Sequence, residues 1–142
     1  MTDVLVDTSV LIKWFHADGE AELSQARTLR KAHEDGRIDA HILDLGVYEV
    51  GNVLVRSLRW PAGEVAEQLD DLLAVVGAPL AMTQPWLRVA ADMAHTHTLS
   101  YYDACWAAAA AGLTVPLVSA DRRLIGSGLA ESLTDVVARL RL

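Results

Sequence analysis

Between Tyr101 and Leu113 the chain reads YYDACWAAAAAGL, a run that is apolar or weakly polar on every side and carries one formal charge, Asp103. Ser100 can start a helix over Tyr101–Ala111, and Gly112 can end it. A helix apolar all round belongs inside a protein, so the remaining chain must wrap it. The carboxylate then stands out, because burying a lone charge is costly unless it is paired or bound to a metal. A competing account is a capping box, with Ser100 as the cap and Asp103 three residues on, although glutamate or glutamine is the usual residue there. A first-turn cap and a metal ligand are compatible roles. The apolar stretch from Ala104 to Val118 is interrupted by Gly112 and Pro116 and is too short to span a bilayer. It reads as a buried helix followed by a strand at Val115–Ser119.

The wrapping elements alternate. Val4, Leu5 and Val6 suit a strand buried on both faces that ends at Asp7. Thr8 or Ser9 can cap a helix reaching Phe15, and Glu20–Glu34 reads as an amphipathic helix closed by Gly36. Ile38–Leu43 is a second strand, and Asp44 is placed to cap a helix running to about Leu58. Pro61 fits the first turn of a helix to Val76, Leu80–Met82 a short strand, and Pro85 the start of a helix to Thr98. Asp121–Gly126 reads as a helical turn, and Ser132–Val136 as a last strand. Strands alternating with helices imply right-handed crossovers and a mainly parallel sheet, a three-layer α/β/α fold. With 142 residues, 52% hydrophobic and 22% charged, the chain suits one domain over residues 1–142.

Ligands of such sheets bind beyond the carboxyl ends of the strands. Asp7 and Asp121 both end or follow a strand, yet aspartate there is also a common helix cap, the better reading for either one alone. Glu49 lies with Asn52 and Arg56 opposite an apolar stripe of Val47, Val50, Gly51, Leu54 and Leu58. Alone it reads as part of a solvated face, but an early-turn glutamate after a strand is also placed for the site. Carboxylates converging at one edge repel one another unless cations offset them, and hard oxygen donors without paired cysteines favour Mg²⁺ or Mn²⁺. His95 and His97 are two residues apart and do not share a helix face, so they read as exposed or capping. Cys105 reads as a buried, inert thiol.

The net charge of −7 runs against a nucleic-acid partner. Clusters such as Arg56 and Arg59, Arg122 and Arg123, or Arg139 and Arg141 offer local basic surface, and cations held by acids would make a positive site. No basic region precedes an apolar run at the N-terminus, so a cytoplasmic protein is expected.

In order along the chain, VDTSVLIKWF, DLGVYEVGNVL, LSYYDACWAAAA and LVSADRRL resemble the PIN-domain ribonucleases, and more narrowly the VapC toxins of bacterial and archaeal toxin-antitoxin modules. The resemblance covers nearly the whole chain. It implies a metal site of Asp7, Glu49, Asp103 and Asp121, supported by Thr8, Asn52 and Ser119, and metal-dependent cleavage of structured RNA such as tRNA or ribosomal RNA. It also implies a homodimer and a cognate VapB-type antitoxin, for which Leu11, Trp14, Phe15 and Trp60 are candidate anchors beside their reading as core. Arg122, Arg123 and Leu124 stand where some relatives carry a further acid.

Two other acidic-site folds fit poorly. A receiver-type phosphorylation domain needs a lysine at its last core strand, and the only lysines are Lys13 and Lys31. A haloacid-dehalogenase-type phosphatase needs a second aspartate where Ser9 stands. A catalytically silent PIN-like binding module is the remaining alternative.

Overall fold

The computed structural model describes residues 2–142. Its centre is the strand whose residues the sequence made most apolar: in β1 (Thr2–Val6), Val4, Leu5 and Val6 are wholly buried. β2 (Ile38–His41) pairs with β1 in parallel from Thr2↔Ile38 to Leu5↔His41, and β3 (Leu117–Val118) pairs in parallel on the other side at Leu5↔Leu117 and Val6↔Val118. The strand order is therefore β2-β1-β3. Because the chain leaves β1 in one direction to form β2 and crosses back past it to form β3, right-handed crossovers put the two sets of helices on opposite faces. The expected α/β fold with a parallel sheet is present. The carboxyl end of β1 is the point where the two connections diverge, the usual place for a ligand in such sheets.

The helices that position this end are α1 (Thr8–Lys13), α2 (Leu23–Glu34), α3 (Asp44–Asn52), α4 (Ala62–Val76), α5 (Gln84–His97), α6 (Tyr101–Leu113), α7 (Arg122–Gly126) and α8 (Leu133–Leu140). Residues Ala104–Ala110 of α6 are buried, as the composition of that helix required. Among the described residues no helix is long and apolar enough to cross a membrane.

Several boundaries differ from expectation. The strand expected at Ser132–Val136 is helical: Ser132 caps α8 by accepting from the Asp135 amide, and Leu133, Val136, Val137 and Leu140 follow a helical, not an alternating, period. Only Glu131 bridges to Val118. The expected strand at Leu80–Met82 is likewise a single bridge, Leu43↔Leu80. The helix expected from Glu20 begins at Leu23 because the preceding acids are engaged elsewhere. Glu20 meets the buried Lys13 ammonium at 3.2 Å, and Glu22 accepts from the Thr134 amide and hydroxyl. Beyond Asn52 the third helix loosens into a π-helical turn, Val53–Ser57. Gly112 does not end α6. It lies under the Trp86 indole, where a Cβ would collide, and Thr114 closes the helix in the left-handed conformation with φ +56°.

Candidate metal centre

Asp7 follows β1 directly. Its backbone is extended, and its carboxylate caps α1 by accepting from the Val10 amide at 3.4 Å. The same Oδ1 accepts from the Ser9 hydroxyl at 2.5 Å, and Oδ2 accepts from the Ser119 hydroxyl at 2.5 Å. The cap is thus Asp7, not Thr8 or Ser9. The side chain is 4% exposed. Burial pushes its pKa up to about 6; the serine hydroxyls and the Val10 amide offset part of this, and the Asp103 charge adds to it.

Ser119, fully buried at the end of β3, also accepts from the Asp121 amide at 2.9 Å, so one hydroxyl links the acids after two adjacent strands. Ser9 makes a second link by accepting from the Ala120 amide at 2.9 Å. Asp121 caps α7: its Oδ1 accepts from the amides of Arg123 at 2.9 Å and Leu124 at 3.0 Å. Both expected capping roles are therefore present, and both leave the acids at the sheet edge.

Glu49 is not on a solvated face. Its Oε1 accepts from the Thr8 hydroxyl at 2.8 Å and from the Trp106 indole Nε1 at 3.1 Å. Trp106 is held by close packing on Gly46, where an added Cβ would come within 3.0 Å of the indole ring. Both hydrogen bonds fall on one oxygen, and among the described residues Oε2 has no donor. Asp103, in the first turn of α6, is half-buried. Ser100 accepts from its amide at 3.1 Å, which is one half of the capping box considered above. The Asp103 pKa is raised, first by burial and then by the Asp121 and Glu49 charges; Ser100 and Arg123 oppose this. Asn52 is exposed at the end of α3, where it lines a groove with Thr8, Tyr48 and Glu49.

The four acids thus stand around one edge of the sheet, coupled by charge and by shared hydroxyl groups. Two residues of this network, Ser9 and Trp106, went unassigned from sequence. Trp106 lies three residues after Asp103, on the same helix face, which is the signal that could have found it.

Among the described residues none of the four acids forms an ion pair with a lysine, arginine or histidine. A nearly buried acid held only by hydroxyls and an amide, coupled by charge to Asp103 and through it to two further carboxylates, fits a hard divalent cation. The tightest trio of possible ligands lies elsewhere: single donor atoms of Asp3, Asp39 and His41 all fall within 4.8 Å of one another at the other end of β1. Asp7, Glu49, Asp103 and Asp121 do not form so tight a group. His95 and His97 are exposed in the last turn of α5, and Cys105 is buried, both as expected. Leu11 is wholly buried and cannot anchor a partner, while the Trp14 indole donates to the Ala26 carbonyl and Phe15 packs edge-on against Trp60.

The fold resembles three solved structures. PAE2754 from Pyrobaculum aerophilum superposes with a TM-score of 0.72 at 24% identity, covering 99% of this chain and 90% of that one. FitAcB from Neisseria gonorrhoeae gives 0.67 at 18% identity over 91% and 95% of the two chains. FitAB bound to the IR36 DNA fragment gives 0.67 at 17% over 92% and 94%. At these identities the likeness speaks for the fold. No curated protein sequence matches significantly. The PIN domain family model, however, matches residues 4–126, nearly the whole of the region that builds the sheet and the acidic edge. The chain belongs to the PIN-domain family.

Proposed function

We propose that the protein is a Mg²⁺- or Mn²⁺-dependent endoribonuclease, a single domain over residues 1–142 that acts as the toxin of a toxin-antitoxin pair. PIN domains are generally metal-dependent nucleases. The observation that carries the reading here is Asp7: a nearly buried carboxylate with no basic partner among the described residues, coupled by charge to Asp103, which is coupled in turn to Asp121 and Glu49. Asp7, Glu49, Asp103 and Asp121 would hold the ion, which when bound supplies a water of lowered pKa and positive charge for the leaving oxygen. The chain's own residues do the positioning. Ser9 and Ser119 hold both oxygens of Asp7, and Thr8 and Trp106 fix one oxygen of Glu49 so that the other is free. No covalent nucleophile is needed, and the products carry a 5′-phosphate and a 3′-hydroxyl.

The substrate in this reading is a single-stranded loop of structured RNA, tRNA or ribosomal RNA, where unstacked bases are accessible. The protein is cytoplasmic, forms a homodimer and is inhibited by a VapB-type antitoxin, with the part-buried Trp14, Phe15 and Trp60 as the remaining aromatic candidates for that contact. Incubating the purified protein with tRNA and ribosomal RNA in Mn²⁺ or Mg²⁺ tests the reading. Cleavage that stops with EDTA and is lost in Asp103→Asn supports it. Metal binding without cleavage favours the silent binding module instead.

A further inference from the structure

A groove of about 470 Å³ opens beside the acidic edge, with Thr8, Tyr48, Glu49, Asn52, Val53 and Tyr102 among its lining residues. Tyr48 and Tyr102 are 70% and 61% exposed, more than any other large hydrophobic side chain among the described residues. Each directly precedes an acid of the centre, in the pairs Tyr48-Glu49 and Tyr102-Asp103. Neither hydroxyl has a hydrogen-bond partner among the described residues, whereas the neighbouring Tyr101 hydroxyl donates to the Leu87 carbonyl at 2.9 Å. Two aromatic rings are thus left to solvent at the mouth of the centre, on the same two helices that carry Glu49 and Asp103.

We infer that Tyr48 and Tyr102 stack against an unpaired nucleobase of the substrate and so place its neighbouring phosphodiester at the four acids. The inference rests on the nuclease reading above and names how that site grips RNA. Three observations favour a nucleobase. The groove shares Thr8 and Glu49 with the metal centre, so its occupant lies within reach of the acids. The lining sets the two flat rings and the apolar Leu45 and Val53 beside the exposed Asn52 amide, which suits a base with apolar faces and polar edges. Finally, no lysine or arginine lines the groove, and the chain carries a net charge of −7. Within the groove no basic side chain is placed to pair with a phosphate, so the rings are the groups left to grip an occupant there.

The test measures binding apart from cutting. In an Asp103→Asn background, a fluorescent single-stranded oligoribonucleotide and its duplex form are titrated in Mg²⁺ at several salt concentrations. Stacking on one aromatic side chain typically contributes a factor of roughly 5 to 150 in affinity. Tyr48→Ala and Tyr102→Ala should each weaken single-strand binding about tenfold. Tyr→Phe at either position should restore it, the duplex should bind poorly throughout, and the salt slope should not change, because no phosphate contact is lost. With the Asp103 carboxylate intact, the same alanine variants should raise KM for RNA cleavage more than they lower kcat. Unchanged binding in both alanine variants, with melting temperatures showing that they fold, would overturn the inference. So would unchanged RNA binding accompanied by a shift from dimer to monomer in sedimentation, which would assign the rings to a contact between copies. Absence of cleavage by the wild-type chain in any metal counts against the nuclease reading alone, since the binding comparison is read without it.

Discussion

The two ends of β1 carry two acidic groups that differ in kind. At the amino end, Asp3, Asp39 and His41 form a tight, solvent-facing set in which the imidazole lies 3.0 Å from one carboxylate and 3.5 Å from the other. At the carboxyl end the acids are farther apart, yet Asp7 is nearly buried, its pKa is pushed up to about 6, and no basic side chain pairs with any of them. The amino-end carboxylates already have an imidazole beside them. The carboxyl-end set is held in place by hydroxyls and an indole while its charge is left unmet. In the proposed reading the looser group, not the compact one, is where the chemistry lies. Unmet charge that the fold has gone to structural lengths to hold is the better sign.

The sharpest break of this comparison is substitution at both ends. Asp7→Asn should lower Mn²⁺-dependent RNA cleavage by at least a factor on the order of 10², since a bound cation contributes several kcal/mol to such a reaction. Asp3→Asn and Asp39→Asn should leave the rate within about twofold, because a solvated surface pair contributes little. Initial rates on one RNA substrate compare all three. Equal losses at the two ends would remove the distinction.

Stability against pH separates the ends next. Asp7 ionises at about 6 in the folded protein against an ordinary value of 3.8, so the folded state holds the proton more tightly than the unfolded chain. The contribution of Asp7 to the stability of the metal-free protein is then fully present below about pH 4 and is lost as pH rises through about 6, by about 3 kcal/mol. Half-buried Asp103 acts in the same direction. Urea titrations across this range should show the decline, Asp7→Asn should flatten it, and Mg²⁺ should oppose it by binding only the folded state. A metal-free protein that gains stability toward neutral pH would contradict the account.

A smaller effect tests how the carboxyl end is held. Gly46→Ala presses on the Trp106 indole that donates to Glu49 and should destabilise by about 1–3 kcal/mol. Cleavage should fall about tenfold as the indole shifts, in line with the loss of a partner that orients a metal ligand. Gly63→Ala, which meets nothing within 4 Å, should stabilise α4 by roughly 0.5–1 kcal/mol and leave cleavage unchanged. Thermal melts and rates on the two variants decide this. The least effect is expected for His41→Ala, a stability change below about 1 kcal/mol with no change in Mn²⁺ affinity at the active end, measured by calorimetry.

Where pattern and burial agree, the chain could be read directly. Val4–Val6 had to be a covered strand, and Asp103, the one charge in an apolar helix, stood out as a residue to locate, although no ion pair meets it among the described residues. Asp7 and Asp121 were legible as strand-end acids, although their capping roles hid whether they did more. What could not be read were partnerships set by distant segments. Glu49 looks solvated on a helical wheel because the wheel contains neither Thr8 nor Trp106. The start of α2 moved because Lys13 and Thr134 claim Glu20 and Glu22. The last helix was misread for a local reason: Ser132-Leu-Thr-Asp caps a helix, and its apolar residues repeat at three and four, a period that outweighs the β-branched Val136 and Val137.

The hydroxyl bridge from Ser119 to Asp7 joins residues 112 positions apart, and Asp121 follows two residues after Ser119. Translation adds about 5–20 residues per second, from the amino terminus onward. An emerging chain therefore possesses its first carboxylate long before its last, and it cannot assemble the acidic edge until β3 and the segment after it have left the ribosome. A stalled or truncated copy lacks the clasp that fastens one strand end to the other. For a protein whose proposed target includes the translation machinery itself, the order of the chain works as a delay: an emerging copy that has not yet exposed β3 has no complete acidic edge.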